Sequence, residues 1–200
     1  HLNAGRRSDL RRARRKAEQL GTVTTEIIRP EVDEVPSLLA EALDIEERSW
    51  KGQSGTALAR DPQRARFFAN FALKAAETGS LRMCFLRIGE QRVAMQVALE
   101  QQGGFWLLKV GYNAEYAACS PGIWLMHDTI AYAARQQLGT YELLGKSDAW
   151  TQVWTKTELA CASLRVYPYN ARGMAALALD AAATGLAAAK RKYLARKTST

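Results

Sequence analysis

The chain predicts an α/β (α+β) fold, a mixed and mostly antiparallel central sheet with helices on both faces. Three strand-like runs, Leu81 to Ile88, Arg92 to Leu99 and Phe105 to Tyr112, follow one another. They are parted only by Gly89-Glu90-Gln91 and by Gln101 to Gly104, gaps short enough for hairpins. The third run leads through Ser120-Pro121-Gly122 into an amphipathic helix and then a further strand, Thr140 to Gly145. The whole order reads β-α-α-β-β-β-α-β-α-β-α without an internal repeat. A meander followed by a crossover helix makes a mixed sheet covered on both faces.

Each element has its own signal. Residues 6 to 20 read as a charged helix ended by Gly21, without an apolar face able to bury itself. Thr22 to Arg29 alternates with β-branched residues and reads as the first strand. Asp33 is expected to cap a helix in which Val35, Leu38, Leu39, Leu43 and Ile45 recur at helical spacing, ending near Trp50. Lys51 to Asp61 is a glycine-bearing loop. Asp61-Pro62 opens the next helix, with Phe67, Phe68, Phe71 and Leu73 inward and Gly79 as its stop. After the meander come a helix from Pro121 to near Gln137 and a strand from Tyr141 to Leu144. Asp148 to Leu159 reads as helical, Ser163 to Tyr169 as a strand, and Asn170 as the cap of a long final helix.

Two hundred residues, 48% of them hydrophobic, support one substantial core. The net charge is +8, and its location decides what it means. Residues 1 to 20 carry a local +5 and residues 186 to 200 another +5, so removing both leaves the central body at −2. Polyanion binding would therefore belong to the ends, not the globular part. Cys84, Cys119 and Cys161 are scattered, with no CxxC or Cys/His spacing. That argues for a reducing, cytoplasmic setting and against disulfide or zinc frameworks, so no metal is expected. The Ala-rich stretch Gly173 to Ala189 carries Asp180 and lacks large apolar residues, which argues against a transmembrane segment. The chain begins at His1, not Met, so His1-Leu2-Asn3 is expected to be either an added remnant or the middle of a longer chain.

A helix that opens behind Ser120-Pro121-Gly122 presents backbone N–H groups and a positive dipole end, an anion site that between two strands suggests a phosphate-bearing cofactor. Lys109 interrupts an apolar strand. Strict alternation puts it on the face of Leu107 and Gly111, either at a solvated surface or in a cleft. Tyr112 either acts as an acid or closes the core. Glu142 lies within a strand, a costly place for an unpaired carboxylate, and is a candidate base. Asp148, Trp150 and Trp154 follow, the two indoles at i and i+4, where packing on the sheet is the plain reading. Glu47 closes the first long helix beside Glu46 and Arg48, as a solvated end or as a base. Trp50 anchors the following loop or meets an acceptor, and Lys51 adds a charge for phosphate or carboxylate. His127 reads as structural at the edge of its helix face, and Cys119 as a small loop residue.

Trp50-Lys51-Gly52, Gly55-Thr56-Ala57, Gly111-Tyr112-Asn113, Ser120-Pro121-Gly122 and Tyr141-Glu142-Leu143-Leu144-Gly145, with the element order, resemble the GCN5-related N-acetyltransferase (GNAT) superfamily. Within it they are similar to the CelD-type branch found beside cellulose and exopolysaccharide biosynthesis genes, which is related to FemAB-like aminoacyl transferases. The resemblance covers roughly residues 22 to 170. It implies a GNAT-like acyltransferase domain there, a basic linker helix over residues 1 to 21, and a C-terminal basic helix over residues 171 to 200. It also implies acetyl-CoA or another acyl-CoA as donor, held by Val110, Tyr112, Ser120, Gly122 and Ile123. Glu47, Lys109, Tyr112 and Glu142 become the catalytic candidates. Trp50, Lys51 and Asp148 become the candidates for binding the acceptor.

The family's pyrophosphate loop, Gln/Arg-x-x-Gly-x-Gly/Ala, falls on Ala117 to Gly122, where only the last glycine survives and Pro121 lacks an N–H. The first reading is acyl transfer from acyl-CoA to an amine or sugar hydroxyl, in envelope or exopolysaccharide metabolism. The second is a FemAB-like aminoacyl transferase, the second half of a two-domain protein, whose basic helix 6 to 16 contacts tRNA. The third is a non-catalytic GNAT-like partner of a polysaccharide synthase.

Overall fold

The computed structural model describes residues 4–49, 61–145, 148, 150–160, 162 and 164–197; side chains at 4, 6, 7 and 187–197 are not described. The chain forms two compact units, His1–Lys156 and Thr157–Thr200. The first holds a five-stranded sheet in the order β1 (Val23–Ile28), β2 (Leu81–Ile88), β3 (Gln91–Gln101), β4 (Gly104–Tyr112) and β5 (Thr140–Glu142). β1 to β4 pair antiparallel, and β5 pairs parallel with β4 over Gly104 to Trp106 only. The mixed sheet and its meander are as the sequence predicts.

Strand alternation builds two cores, one on each face. Leu81, Met83, Phe85, Met95 and Val97 meet α2 (Val35–Glu47) and α3 (Pro62–Glu77) through Val35, Leu39, Ala42, Ile45, Ala72 and Ala76. Cys84, Leu86, Ala94, Phe105 and Leu107 meet Leu125, Met126 and Ala133 of α4 (Pro121–Arg135). β2 and β3 are therefore buried on both faces, which explains their nearly continuous apolar runs.

Local chemistry sets most helix ends. The Asp61 carboxylate accepts from the Gln63 and Arg64 N–H groups at 3.1 Å each, with Pro62 behind it. Gly79, at φ +66°, ends α3. The start of α2 differs from expectation. Its cap is Glu34, not Asp33, and the Glu34 carboxylate accepts from the Glu31 N–H at 2.9 Å, tightening the preceding turn without capping the helix. Phe67 is exposed, not inward. α3 turns Ala72, Ala75 and Ala76 to the sheet, while Phe68, Phe71 and Leu73 are partly covered.

The N-terminal helix α1 (Ala4–Leu20) also corrects the sequence reading, because it does bury a face. That face is a narrow stripe of small residues, Ala13 and Ala17, too slight to register as an apolar pattern. The Arg14 guanidinium lies 5.2 Å from the Trp124 ring centre and donates to the Val23 carbonyl at 3.3 Å. Gly21 then passes so close to the β2–β3 turn that a Cβ on it would lie 2.8 Å from the Gly89 Cα.

Two expectations near the C-terminus fail. Asp148 to Leu159 is not a helix; among its described residues only Thr151–Val153 makes a single 3-10 turn. The Thr151 hydroxyl accepts from the Asp148 N–H at 3.0 Å and donates to its carbonyl at 2.8 Å, offering this backbone an alternative to the helix ladder. The described residues between Ser163 and Tyr169 form no strand. Leu164 and Val166 alternate as a strand would, but both are exposed, and alternation without a ladder partner makes no strand. In the second unit, α5 (Ala171–Lys197) is capped as expected, with the Gly173 N–H donating to Asn170 Oδ1 at 2.8 Å. Asp180 takes the Tyr167 hydroxyl and the Arg165 guanidinium, which together hold its carboxyl below the usual range.

Burial pushes the Cys84 thiol up to about 12 from 9.0 and also raises the phenols of Tyr132 in α4 and Tyr141 in β5. A raised acid pKa means the native state keeps a proton that the unfolded chain releases. Its contribution is intact below pH 9.0 and is lost as pH rises towards about 12. Urea midpoints are expected to fall as pH rises through this window, and Cys84→Ala to flatten the fall. An equally steep fall in the variant would place the titration elsewhere.

Candidate functional site

β4 and β5 part after the Trp106–Glu142 pair. β4 continues to Tyr112, while the other chain turns away through Leu144 at φ +52° and Gly145 at φ +75°. A cleft of about 560 Å³ opens between them. Its walls are Leu107 to Tyr112 on one side and Leu143, Leu144, Gly145, Asp148, Trp150 and Trp154 on the other, with Ser120, Gly122, Ile123 and Met126 across one end. Met95 and Gln96 of β3 also line it.

A β-bulge sets which way the β4 side chains point. Val97 pairs with Lys109 but Ala98 pairs with Leu107, so Leu108 is an extra residue. Leu107 therefore joins the α4-side core and Leu108 the α2-side core, and Lys109 also faces α2. Strict alternation, which put Lys109 on the Leu107 face, fails because of this one insertion. Lys109 Nζ donates to Glu46 Oε1 at 2.7 Å, with Glu46 only 1% exposed, and lies 5.8 Å from the Phe68 ring centre. Gly111 lets the end of α2 come this close, since a Cβ there would sit 3.2 Å from the Glu46 Cα.

The turn before α4 is built from a 3-10 segment, Ala114–Cys119, and Ser120 in the left-handed region at φ +49°. Its amides are mostly engaged. The Ser120 N–H donates to Ala117 O at 3.0 Å, Pro121 has none, and the Ile123 N–H turns back to Ser120 O at 3.1 Å. The Gly122 N–H, which has no protein acceptor among the described residues, is the donor left for an anion. A Cβ on Gly122 would approach Tyr112 Cδ1 to 3.3 Å, so strand end and helix start are in contact here.

Of the residues the sequence singled out, Lys109, Val110, Tyr112, Ser120, Gly122, Ile123 and Asp148 come together around this cleft. Glu47 and Glu142 are not among its lining residues; Glu47 ends α2, and Glu142 sits in β5 opposite Trp106. Trp50 and Lys51 lie outside the described residues. His127 is exposed, with Nδ1 2.9 Å from Asp128 Oδ1. Cys119 is buried. Gln96 went unnoticed in the sequence, although a carboxamide within Val93 to Leu99 carries the same signal as Lys109, a polar group inside an apolar strand. Among the described residues, no group of three or more His, Cys, Asp or Glu could hold a metal ion. None of their helices is long and apolar enough to cross a membrane.

The sequence matches the family model described as the acetyltransferase (GNAT) domain over residues 4–152. The chain belongs to that family and is an acyltransferase. Two solved structures similar to it are aminoglycoside acetyltransferases, each from an uncultured soil metagenomic sample. One, in complex with sisomicin, is 9% identical with a TM-score of 0.50, covering 74% of this chain and 97% of that one. The other is 9% identical with a TM-score of 0.54, covering 72% and 99%. At such identities the likeness is one of fold. No curated protein matches the chain.

The Lys109–Glu46 pair yields a stability test. Lys109→Met, which leaves the buried Glu46 carboxylate without its lysine, is expected to cost about 3 kcal/mol in urea denaturation. Adding Glu46→Gln should recover more than half of that loss. Additive losses in the double-mutant cycle would show that the two side chains do not stabilise each other.

Proposed function

We propose that this GNAT acetyltransferase transfers an acyl group from acyl-coenzyme A, acetyl-CoA first among the candidates, to an amine or a sugar hydroxyl. The observation that carries this reading is the apolar cleft opened by the parting of β4 and β5, with the Gly122 N–H at its end. Such a cleft suits a long, slender thioester arm. The turn suits a diphosphate less well, because it offers one amide and no cation of its own. Binding would therefore draw more on burial of the arm than on charge.

The thioester supplies an activated acyl carbon, so no protein nucleophile is required. The acceptor's nitrogen or oxygen attacks that carbon and releases its own proton, which passes through water to restore the acid, the C–S bond breaks, and the thiolate takes a proton. Tyr112, on the cleft wall, is the group we assign to donate it. Lys109 serves as a donor towards the thioester carbonyl side, held by Glu46, and Asp148, exposed at the cleft, holds a cationic acceptor. A role in envelope or exopolysaccharide metabolism rests on the motifs similar to the CelD-type branch.

A second reading, transfer from aminoacyl-tRNA as in FemAB-like enzymes, draws support from the amide-poor turn and from exposed Arg11, Arg12, Arg15 and Lys16 on α1. A tRNA gel shift that weakens with salt and needs these residues would favour it.

Calorimetry with acetyl-CoA is expected to show saturable binding. Gly122→Val, which crowds Tyr112, should weaken it by about tenfold, a loss of ~1.4 kcal/mol. No heat at millimolar ligand would sink the acyl-CoA reading. In turnover, Tyr112→Phe is expected to lower kcat by about 100-fold with KM little changed, the scale of a lost general acid. An unchanged kcat would remove Tyr112 from the chemistry.

A further inference from the structure

Gln96 stands in the middle of β3 and is 2% exposed, yet it lines the cleft together with Met126. Its Oε1 accepts from the Thr129 hydroxyl at 3.0 Å, while among the described residues its Nε2 reaches only the Met126 thioether at 3.8 Å. Turning the carboxamide over exchanges its ends without altering the outcome. One end meets Thr129 and the other meets sulfur. A thioether is a weak acceptor and not a donor, so one end of this amide has no partner of its own strength.

The neighbours do not fill that need. Thr129 Oγ1 is already 2.9 Å from the Tyr141 hydroxyl and 3.0 Å from the Leu125 carbonyl. The Met126 sulfur is itself approached by the Tyr141 hydroxyl at 3.3 Å. Burial holds the Tyr141 phenol above its ordinary range, so it stays protonated and remains a competing donor for both atoms. Buried polar groups are nearly always matched, and this one is matched on one side only and lines the cleft.

Its position also fits a ligand that starts at the helix turn. Gln96 pairs across the ladder with Val110, in the stretch of β4 that forms the cleft wall. Its α4 partner, Thr129, follows Gly122 by seven residues, about 10 Å along the helix at 1.5 Å per residue. An extended ligand with an anionic group at Gly122 and amides further along reaches both.

We propose that the Gln96 carboxamide hydrogen-bonds the amide-bearing arm of the thioester donor inside the cleft and thereby helps to select that donor. This rests on the acyl-coenzyme A reading. Calorimetry with coenzyme A and with 4′-phosphopantetheine, which keeps the arm and lacks the nucleotide, tests it on the wild type and on Gln96→Leu. Gln96→Met serves as a second substitution should the first fail to fold. Leucine replaces a half-matched amide with an apolar group of similar size, so the melting temperature should hold or rise. Both ligands are expected to bind about three- to tenfold more weakly, the scale of one lost hydrogen bond. Unchanged affinity in a folded variant, or a loss confined to coenzyme A, would overturn the assignment while leaving the acyl-coenzyme A reading intact. A wild type that binds neither ligand would overturn both.

Discussion

The extra residue at Leu108 is the constraint on which the site depends. Below it, β4 keeps step with β3 and β5, and Leu107 points into the core under α4. Above it, the alternation is reset, so that Lys109 turns towards α2. A bulge also bends and twists its strand. Here it falls in the stretch where β4 runs on without β5, and the same irregularity that redirects the side chains accompanies the opening of the cleft. Without the insertion, a lysine would stand in the apolar layer covered by Leu125 and Met126.

That redirected lysine is tied to the packing of α2. Gly111 removes the side chain that would hold the helix away, and the approach brings the buried Glu46 carboxylate to Lys109. A buried ion pair contributes little net stability compared with apolar residues of the same size, because both charges lose water. What it fixes is position, since the pair holds Lys109 beside a carboxylate that is itself buried at the end of α2. The end of α2 is thereby held against the cleft wall. The Ala114 N–H donating to Arg48 O at 3.2 Å adds a second tie at the same corner.

Much of this was legible in the sequence where the cause is local. Asp61-Pro62, Gly79 and the two hairpin gaps act on their own neighbourhoods, and they appear where the sequence puts them. The strand, turn and helix from Phe105 through Ser120-Pro121-Gly122 likewise gave the cleft its address before any geometry was known. What escaped depends on distant partners. Lys109 meets a carboxylate 63 residues away, and a bulge leaves no mark on a strand that reads as continuous. Leu164 and Val166 carry a strand pattern with no ladder to join. Thr151 gives the backbone a local alternative that the i, i+4 spacing of Trp150 and Trp154 hides. Gln96 is a different case, because its signal was present and the rule applied to Glu142 and Lys109 would have found it.

The shortness of β5 has a further consequence. Three parallel rungs at one side of a sheet are a slight anchorage compared with the long antiparallel ladders of β2, β3 and β4. Local opening is cheapest where the fewest bonds and buried contacts must be given up. β5, which leads into the second wall of the cleft, is thus the strand that can loosen on its own while the meander stays folded. This gives a narrow groove a way to admit and release a long ligand sideways, as a book opens along its spine, without threading it end-on.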